Sequence, residues 1–145
     1  MKLPEPKPGS VIRYSYLWFD ERRHGATEGR KDRPAMVLAV AVVKAGGETE
    51  VLALAITHAK PRSPDHAIEI PAATCRQLGL DDERAFVVTT EANVFVWPGP
   101  DIRLVPHGAS ATPFYGQMPR HTLRDIARSY LANRNREKRL IHRDS

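Results

Sequence analysis

An arginine followed by a proline introduces the longest apolar segment of this sequence. Residues 29–34 read GRKDRP and lead directly into the apolar residues 35–43. Proline restricts its own φ and drives the residue before it into extended geometry, so Arg33 should be held at the entry to a strand. A planar guanidinium fixed in this way is well suited to bind a phosphate group. The alternative is that Arg33 is a solvated loop charge.

Two polar side chains should meet this arginine. A glycine pair after residue 43 predicts a hairpin turn, and residues 51–56 form the returning strand, which ends at Thr57 and His58. In an antiparallel hairpin the end of the second strand lies beside the start of the first. We therefore expect Thr57 and His58 to approach Arg33. The alternatives are a threonine hydroxyl bonded to its own backbone and an exposed loop histidine.

The segment before Arg33 adds a carboxylate and further cations. Residues 19–33 carry nine charged side chains, among them Glu28 and Arg30, and they are expected to form a long loop. A cation, a hydroxyl and a group that transfers protons suffice for metal-free cleavage of an RNA phosphodiester, because the 2′-hydroxyl is the nucleophile. Either Glu28 or His58 would act as the base or the acid.

Other kinds of chemistry have less support in the sequence. The single cysteine, Cys75, has no evident base nearby and cannot form an internal disulfide or a thiolate zinc cluster. The six histidines show no paired metal-ligand spacing, and no glycine motif for nucleotide phosphates occurs. We expect no metal site and no cofactor.

Composition and charge predict one globular domain over residues 1–145. Hydrophobic residues make up 41% and charged residues 27%, which excludes a disordered chain. Without a signal peptide or an apolar run long enough to span a bilayer, a soluble cytoplasmic protein is expected. Residues 120–145 hold 8 basic and 3 acidic side chains, whereas the first 119 residues hold 14 of each. This basic part, with a tail from about residue 134, favours nucleic acid or an acidic protein as partner, or else forms a solvated helix face.

The apolar patterns predict a mainly β protein with two helices. Period-two alternation predicts a strand over residues 10–18, and shorter strands are expected at residues 67–70, 85–89 and 93–97. A proline at the first turn and a glycine at the end predict a short helix over residues 71–79. An apolar stripe, with Thr122 as its cap, predicts a helix over residues 122–133, beyond which the polar chain should fray.

In their order, these segments resemble the PemK/MazF toxins of bacterial toxin–antitoxin systems. The shared features are the glycine-led first strand at residues 8–12, the Arg-Pro-Ala strand start at residues 33–35, and the strand end Ile56-Thr57. The resemblance covers residues 8–60, and residues 84–97 and the final helix match more loosely. The sequence departs from the family at Ser10, which replaces an aspartate, and at residues 90–93, which lack an Asp-Gln pair.

The resemblance implies a small SH3-like β-barrel of the CcdB/Kid/MazF type, with a short helix and a C-terminal helix. It also implies a homodimer that cleaves single-stranded RNA at selected sequences without a metal and is inhibited by a cognate antitoxin. The arginine and threonine of the family's site correspond to Arg33 and Thr57, and its loop glutamate to Glu28, while His58 is a further acid or base. The residues expected to bind RNA are Arg13, Arg30 and Lys31.

Other functions are compatible with the same sequence. The departures at residues 90–93 motivate a non-catalytic binding module on the same barrel, either a degenerate toxin or a protein that poisons gyrase. A DNA-binding regulator acting through the basic helix is weaker, because the apolar stripe of that helix is needed for packing and no turn–helix partner precedes it. For the toxin, the antitoxin segment should be acidic and amphipathic, since Arg30, Lys31 and Arg33 form a cationic mouth beside apolar surface.

Overall fold

The structure, a computed structural model, describes residues 3–26, 29, 31–43, 46–81, 84–106 and 111–143. The strands in this part of the chain are β1 Ser10–Tyr14, β2 Arg33–Val43, β3 Glu48–Thr57, β4 Ala67–Glu69, β5 Phe86–Val88, β6 Ala92–Trp97, β7 Ile102–Arg103, β8 Phe114–Gln117 and β9 Leu140–His142. The helices are α1 Phe19–Arg23, α2 Ala72–Gln77 and α3 Arg120–Arg136, with a 3₁₀ turn at Pro64–His66. The predicted fold class, mainly β with a short helix and a C-terminal helix, is confirmed.

The sheet is built around β3. One edge of β3 pairs with β2, and the other pairs first with β6 and then with β5, all antiparallel. β1 pairs with β2, and the outer edge of β1 receives β7 and β8. The register between β2 and β3 shifts between Val37 and Ala39, and such a bulge bends a sheet. Across the described strands, backbone pairing does not close the sheet into a complete barrel.

Buried apolar side chains fill both faces of this sheet. On one face Met36 and Leu54 pack with Ile126 and Tyr130 of α3. On the other face lies an aromatic cluster in which the ring of Tyr14 stacks on that of Phe95, with 4.7 Å between centroids. Of the apolar residues 35–43 only residues 35–37 are fully buried, because the pairing with β1 ends at Met36. Beyond it the β2–β3 hairpin projects outward, and Val42 is 68% exposed.

Two predicted segments are corrected. The first strand ends at Tyr14 rather than Trp18, and the charged loop begins with the helix α1. The first turn of α1 is fixed by a hydrogen bond that Glu21 Oε1 accepts from Trp18 N at 3.0 Å. At the C-terminus, α3 starts at Arg120 with Pro119 before it, so Thr122 is a buried helical residue and not the cap. None of the described helices is both long and apolar enough to span a membrane.

Residues 134–143 are part of the fold, and the prediction that the chain frays after residue 133 is wrong. α3 continues to Arg136, and β9 then pairs in parallel with β6. The guanidinium of Arg143, only 2% exposed, donates to Ser15 O at 2.8 Å and pairs with Asp101 at 3.1 Å. The contacts with Ser15, just after β1, and with Asp101, just before β7, hold the last described residue in the fold.

The side chain of Asn93 replaces backbone pairing between β6 and the segment that follows β1. Its Oδ1 accepts from Leu17 N at 2.9 Å and its Nδ2 donates to Leu17 O at 2.8 Å, as a paired strand residue would. Arg143 Nη1 also donates to Asn93 Oδ1, at 3.1 Å. Asn93 is 0% exposed, so water cannot substitute for these bonds.

We expect Asn93→Ala to lower the free energy of unfolding by about 3 kcal/mol, because it leaves several buried polar groups without partners. Urea denaturation followed by circular dichroism measures this change. Asn135→Ala, an exposed substitution on α3, is the matched control and should change stability by about 0.5 kcal/mol or less. Equal stability of the two variants would show that Asn93 does not carry this connection.

Candidate functional site

A groove of about 990 Å³ lies where β2 begins and β3 ends. Apolar side chains, including Ile56, Leu78, Leu80, Phe114 and Tyr115, form much of its wall. All of the predicted site residues that the structure describes line this groove: Arg13, Lys31, Arg33, Thr57 and His58. Glu28 and Arg30 lie outside the described residues.

Strand register brings Arg33 and Thr57 together. Ala35 is opposite Ala55 and Met36 is opposite Leu54, so the same register places Thr57 across from Arg33. On its other edge Thr57 pairs with Phe86 of β5. The structure places Thr57 and His58 in the lining of the same groove as Arg33.

Arg33 is held by an aromatic ring rather than being fully solvated. It is half-buried, and its Cζ lies 4.9 Å from the centroid of the Trp18 ring. Its Nε is buried and has no hydrogen-bond partner among the described residues. Burial lowers the pKa of Arg33 from its ordinary value, and the nearby Glu21 and Tyr16 partly offset this. An arginine nevertheless remains a cation at neutral pH, so the groove contains an oriented positive charge.

Thr57 already accepts a hydrogen bond from its own backbone segment. Ala59 N lies 3.2 Å from Thr57 Oγ1. This is the strand-edge arrangement that the sequence left open as an alternative. Because a hydroxyl has one hydrogen to donate as well as lone pairs to accept, this bond still permits donation to a ligand in the groove.

Both ring nitrogens of His58 face acceptors. Nδ1 lies 2.8 Å from Arg84 O, and Nε2 lies 3.0 Å from Asp81 Oδ2. Only the doubly protonated ring donates to both of them, whereas a neutral ring has one N–H. The contacts tie the end of β3 to the connection between α2 and β5, and for His58 to act as a base one of them would have to break.

A second pocket, of about 760 Å³, meets the groove at Lys31 and Arg33, which line both. The rest of its lining contains Trp18, Asp20, Glu21, His24, Ala26 and Glu91. No functional role was predicted for these residues from the sequence. The usable local signal was the spacing of Trp18 and Glu21, three residues apart at the start of a helix.

Glu91 is a buried carboxyl group at the start of β6, 8% exposed. Its Oε1 accepts from Phe19 N at 2.9 Å and from Tyr16 OH at 3.3 Å. Burial raises the pKa of Glu91 above its ordinary value, although the hydrogen bonds from Phe19 and Tyr16 oppose the shift. Burial, together with Glu91, also raises the pKa of Tyr16 well above its ordinary value. In the described residues no three His, Cys, Asp or Glu side chains are grouped so as to hold a metal ion.

Because the pKa of Glu91 is raised, this residue should make the free energy of unfolding depend on pH. The folded protein binds the proton of Glu91 more tightly than the unfolded chain does, so protonation of Glu91 stabilises the folded state. This stabilisation is fully present below the ordinary pKa of 4.5 and is lost as pH rises. Glu91→Gln keeps an acceptor for Phe19 N but removes the titration. We expect the stability of Glu91→Gln relative to the wild type to increase from pH 4 to pH 8 in urea denaturation. A constant difference across this range would contradict the shift.

This chain is similar to known proteins in its structure. No protein-family model and no curated protein sequence matches this chain. Among solved structures it is similar to an endoribonuclease in complex with its cognate antitoxin from mycobacterial species, with a TM-score of 0.55 and 11% sequence identity. The similarity covers 90% of this chain and 96% of that chain. At this identity it establishes a shared fold.

Proposed function

We propose that this protein is an endoribonuclease toxin that cleaves single-stranded RNA at selected sequences without a metal. The observation that carries the proposal is the groove in which Arg33 lies across from Thr57, with Arg13 and Lys31 in the same lining. Three cations and a hydroxyl in one groove match an RNA backbone phosphate. The fold shared with a solved endoribonuclease gives further support.

In the proposed reaction, the 2′-oxygen of the RNA attacks the adjacent phosphorus and the 5′-oxygen of the next nucleotide leaves. The products are a 2′,3′-cyclic phosphate and a 5′-hydroxyl end. Arg33 and Lys31 stabilise the negative charge that develops on the phosphoryl oxygens, and Thr57 donates a hydrogen bond to one of them. Trp18 orients Arg33 before the substrate binds, which lowers the cost of reorganisation.

Two proton transfers complete this reaction. A base removes the proton of the 2′-hydroxyl, and an acid protonates the leaving oxygen. We assign His58 the role of acid, in which its contact with Arg84 O or with Asp81 Oδ2 is exchanged for one with the leaving oxygen. Glu28, which lies outside the described residues, then takes the role of base, one of the two roles that the sequence leaves open for it.

Arg33→Ala should reduce the rate of RNA cleavage by about 100-fold or more, because it removes the oriented charge at the phosphate. The assay is cleavage of a long single-stranded RNA in EDTA, with identification of the product ends. Arg62→Ala removes an exposed arginine that lines neither pocket and should cleave at the wild-type rate. Intact RNA with the wild type, or equal cleavage by both variants, would refute the proposal.

The second candidate is a non-catalytic binding module on the same fold. The contacts already made by His58 and Thr57 favour it, because each must be rearranged or shared before the group acts on a substrate. Product chemistry separates the two functions. Cyclic phosphate ends identify the nuclease, whereas retention of uncleaved RNA by the wild type identifies the module.

We also propose that an acidic antitoxin segment covers this groove, and that the protein is cytoplasmic and homodimeric. The groove combines cations with apolar side chains, which suits an amphipathic acidic peptide that folds on binding. The solved structure with the shared fold is a complex with an antitoxin, which supports a partner of this class.

Lys31→Glu should slow association with the antitoxin about tenfold at low salt and also weaken RNA binding, because one cation attracts both ligands. Stopped-flow kinetics at several salt concentrations measures the association rate, and the effect should shrink as salt rises. Lys138→Glu, the same charge change at an exposed position after α3, is the control. If RNA binding weakens while antitoxin association is unchanged at every salt concentration, the two ligands use separate sites.

A further inference from the structure

Helix α3 carries three arginines on the face that points away from the core. Arg120, Arg124 and Arg128 are all exposed, whereas Ile126, on the opposite face of the same helix, is 0% exposed. Residues four apart are neighbours on one face of an α-helix. With a rise of 1.5 Å per residue, the three side chains form a line about 12 Å long. We call these three residues the arginine row.

The arginine row has no partner within the described part of the protein. None of its guanidinium groups forms a hydrogen bond or an ion pair with another described residue. Asp125, the acidic residue of α3, lies between two members of the row in sequence, but its carboxylate is 3.8 Å from His121. The positive charges of the row are therefore available to bind an anionic partner.

The position of the row within α3 adds to its positive potential. The helix begins at Arg120, has no acidic residue in its first turn and receives no side-chain cap from Pro119. Arginines four residues apart repel each other, and a cation in the first turn lies beside the positive end of the helix dipole. The arrangement thus concentrates positive charge at this end of α3 rather than stabilising the helix.

α3 follows closely on one wall of the groove. Tyr115 of β8 lines the groove and accepts a hydrogen bond from Arg13 at 3.0 Å. Arg120 comes five residues after Tyr115, which limits the distance between their Cα atoms to about 18 Å. Tyr115 and Leu123 of α3 also pack against the same apolar cluster. The start of the arginine row is therefore within reach of an RNA strand that leaves the groove.

We propose that the arginine row binds the phosphate backbone of RNA that flanks the cut site. This inference rests on the proposed RNA substrate. A guanidinium binds a phosphate through two parallel hydrogen bonds. Successive arginines of the row are about 6 Å apart along the helix axis, a spacing similar to that of successive phosphates along an extended strand. Backbone contacts carry no sequence information, so the row adds affinity and not base selectivity.

An acidic peptide is the other class of anionic partner, and this surface suits it less well. A peptide that folds on binding needs apolar surface to bury, in addition to charge. Leu131 is the large apolar side chain that α3 exposes. A phosphate backbone, in contrast, binds through charge alone. The composition of this face therefore favours RNA over an acidic protein.

Binding to RNA of two lengths tests the proposal without requiring cleavage. The long probe is a 2′-O-methylated single strand of about 20 nucleotides, longer than the stretch that one small binding domain covers, and the short probe has about three nucleotides and occupies the groove alone. The methyl groups remove the nucleophile, so both probes stay intact. Fluorescence anisotropy at several salt concentrations measures the Kd of each probe.

The variant of the arginine row replaces all three members: Arg120→Gln, Arg124→Gln and Arg128→Gln. It should bind the long probe about tenfold more weakly at low salt. The slope of log affinity against log salt should fall by about 2, since each lost phosphate contact on a single strand contributes about 0.7. The Kd of the short probe should not change. Glutamine forms helices as readily as arginine, so α3 is retained.

A matched control removes three exposed cations that line neither the groove nor the second pocket: Arg22→Gln, Arg62→Gln and Lys138→Gln. It should keep the salt slope and the affinity of the wild type for the long probe. An equal loss of affinity in both variants would show that net charge is responsible and would overturn the proposal. Wild-type RNA binding by the row variant, with loss of binding to a glutamate-rich peptide, would overturn it in favour of an acidic protein partner.

The remaining outcomes separate the row from the proposed nuclease. If the wild type cleaves unmodified RNA and the row variant binds the long probe as tightly as the wild type does, the row is refuted and the nuclease stands. If the row variant alone loses affinity for the long probe, the row is supported. When the wild type in that case leaves unmodified RNA intact, the nuclease alone is refuted.

Discussion

The antiparallel pairing of β2 with β3 is the constraint on which the site depends. It places Arg33 across from Thr57 at the open end of the hairpin, while pairing with Tyr14 of β1 fixes Arg33 from its other edge. Thr57 is fixed in turn by Phe86 of β5. The placement of Arg33 and Thr57 in the groove thus follows from strand register.

Side-chain bonds connect the C-terminus to this groove. Arg143 and Asn93 tie down the segment that follows β1, and Glu91 holds the backbone of Phe19 where α1 begins. That segment carries Trp18, on which Arg33 rests. Arg143, in the basic end of the chain, therefore supports the groove through buried contacts. Changes near residue 143 should be transmitted along these bonds to the orientation of Arg33.

Sequence patterns predicted the parts of the fold that local chemistry determines. The Arg33-Pro34 strand start, the glycine turn and the proline–glycine limits of α2 were each visible locally, and they suffice to bring Arg33, Thr57 and His58 together. α1 was missed because its five residues have no apolar stripe and depend on distant Glu91. The ordered segment that ends at Arg143 was missed because this charged residue is buried only through partners far along the chain. No local pattern distinguishes such an arginine from a solvated one.

Partial burial makes the charge of Arg33 costly for stability, and the proposed phosphate ligand would offset that cost. Its guanidinium is half-buried, which disfavours the charged form, and its Nε has no hydrogen-bond partner among the described residues. A residue selected for stability alone would be an apolar side chain at this strand start, since β-branched residues suit such a position. A bound phosphate supplies both the opposite charge and an acceptor for the guanidinium. Because Nε is itself buried, a phosphate in the groove would contact the rest of this guanidinium, so the half-buried charge of Arg33 is what the proposed RNA ligand would neutralise.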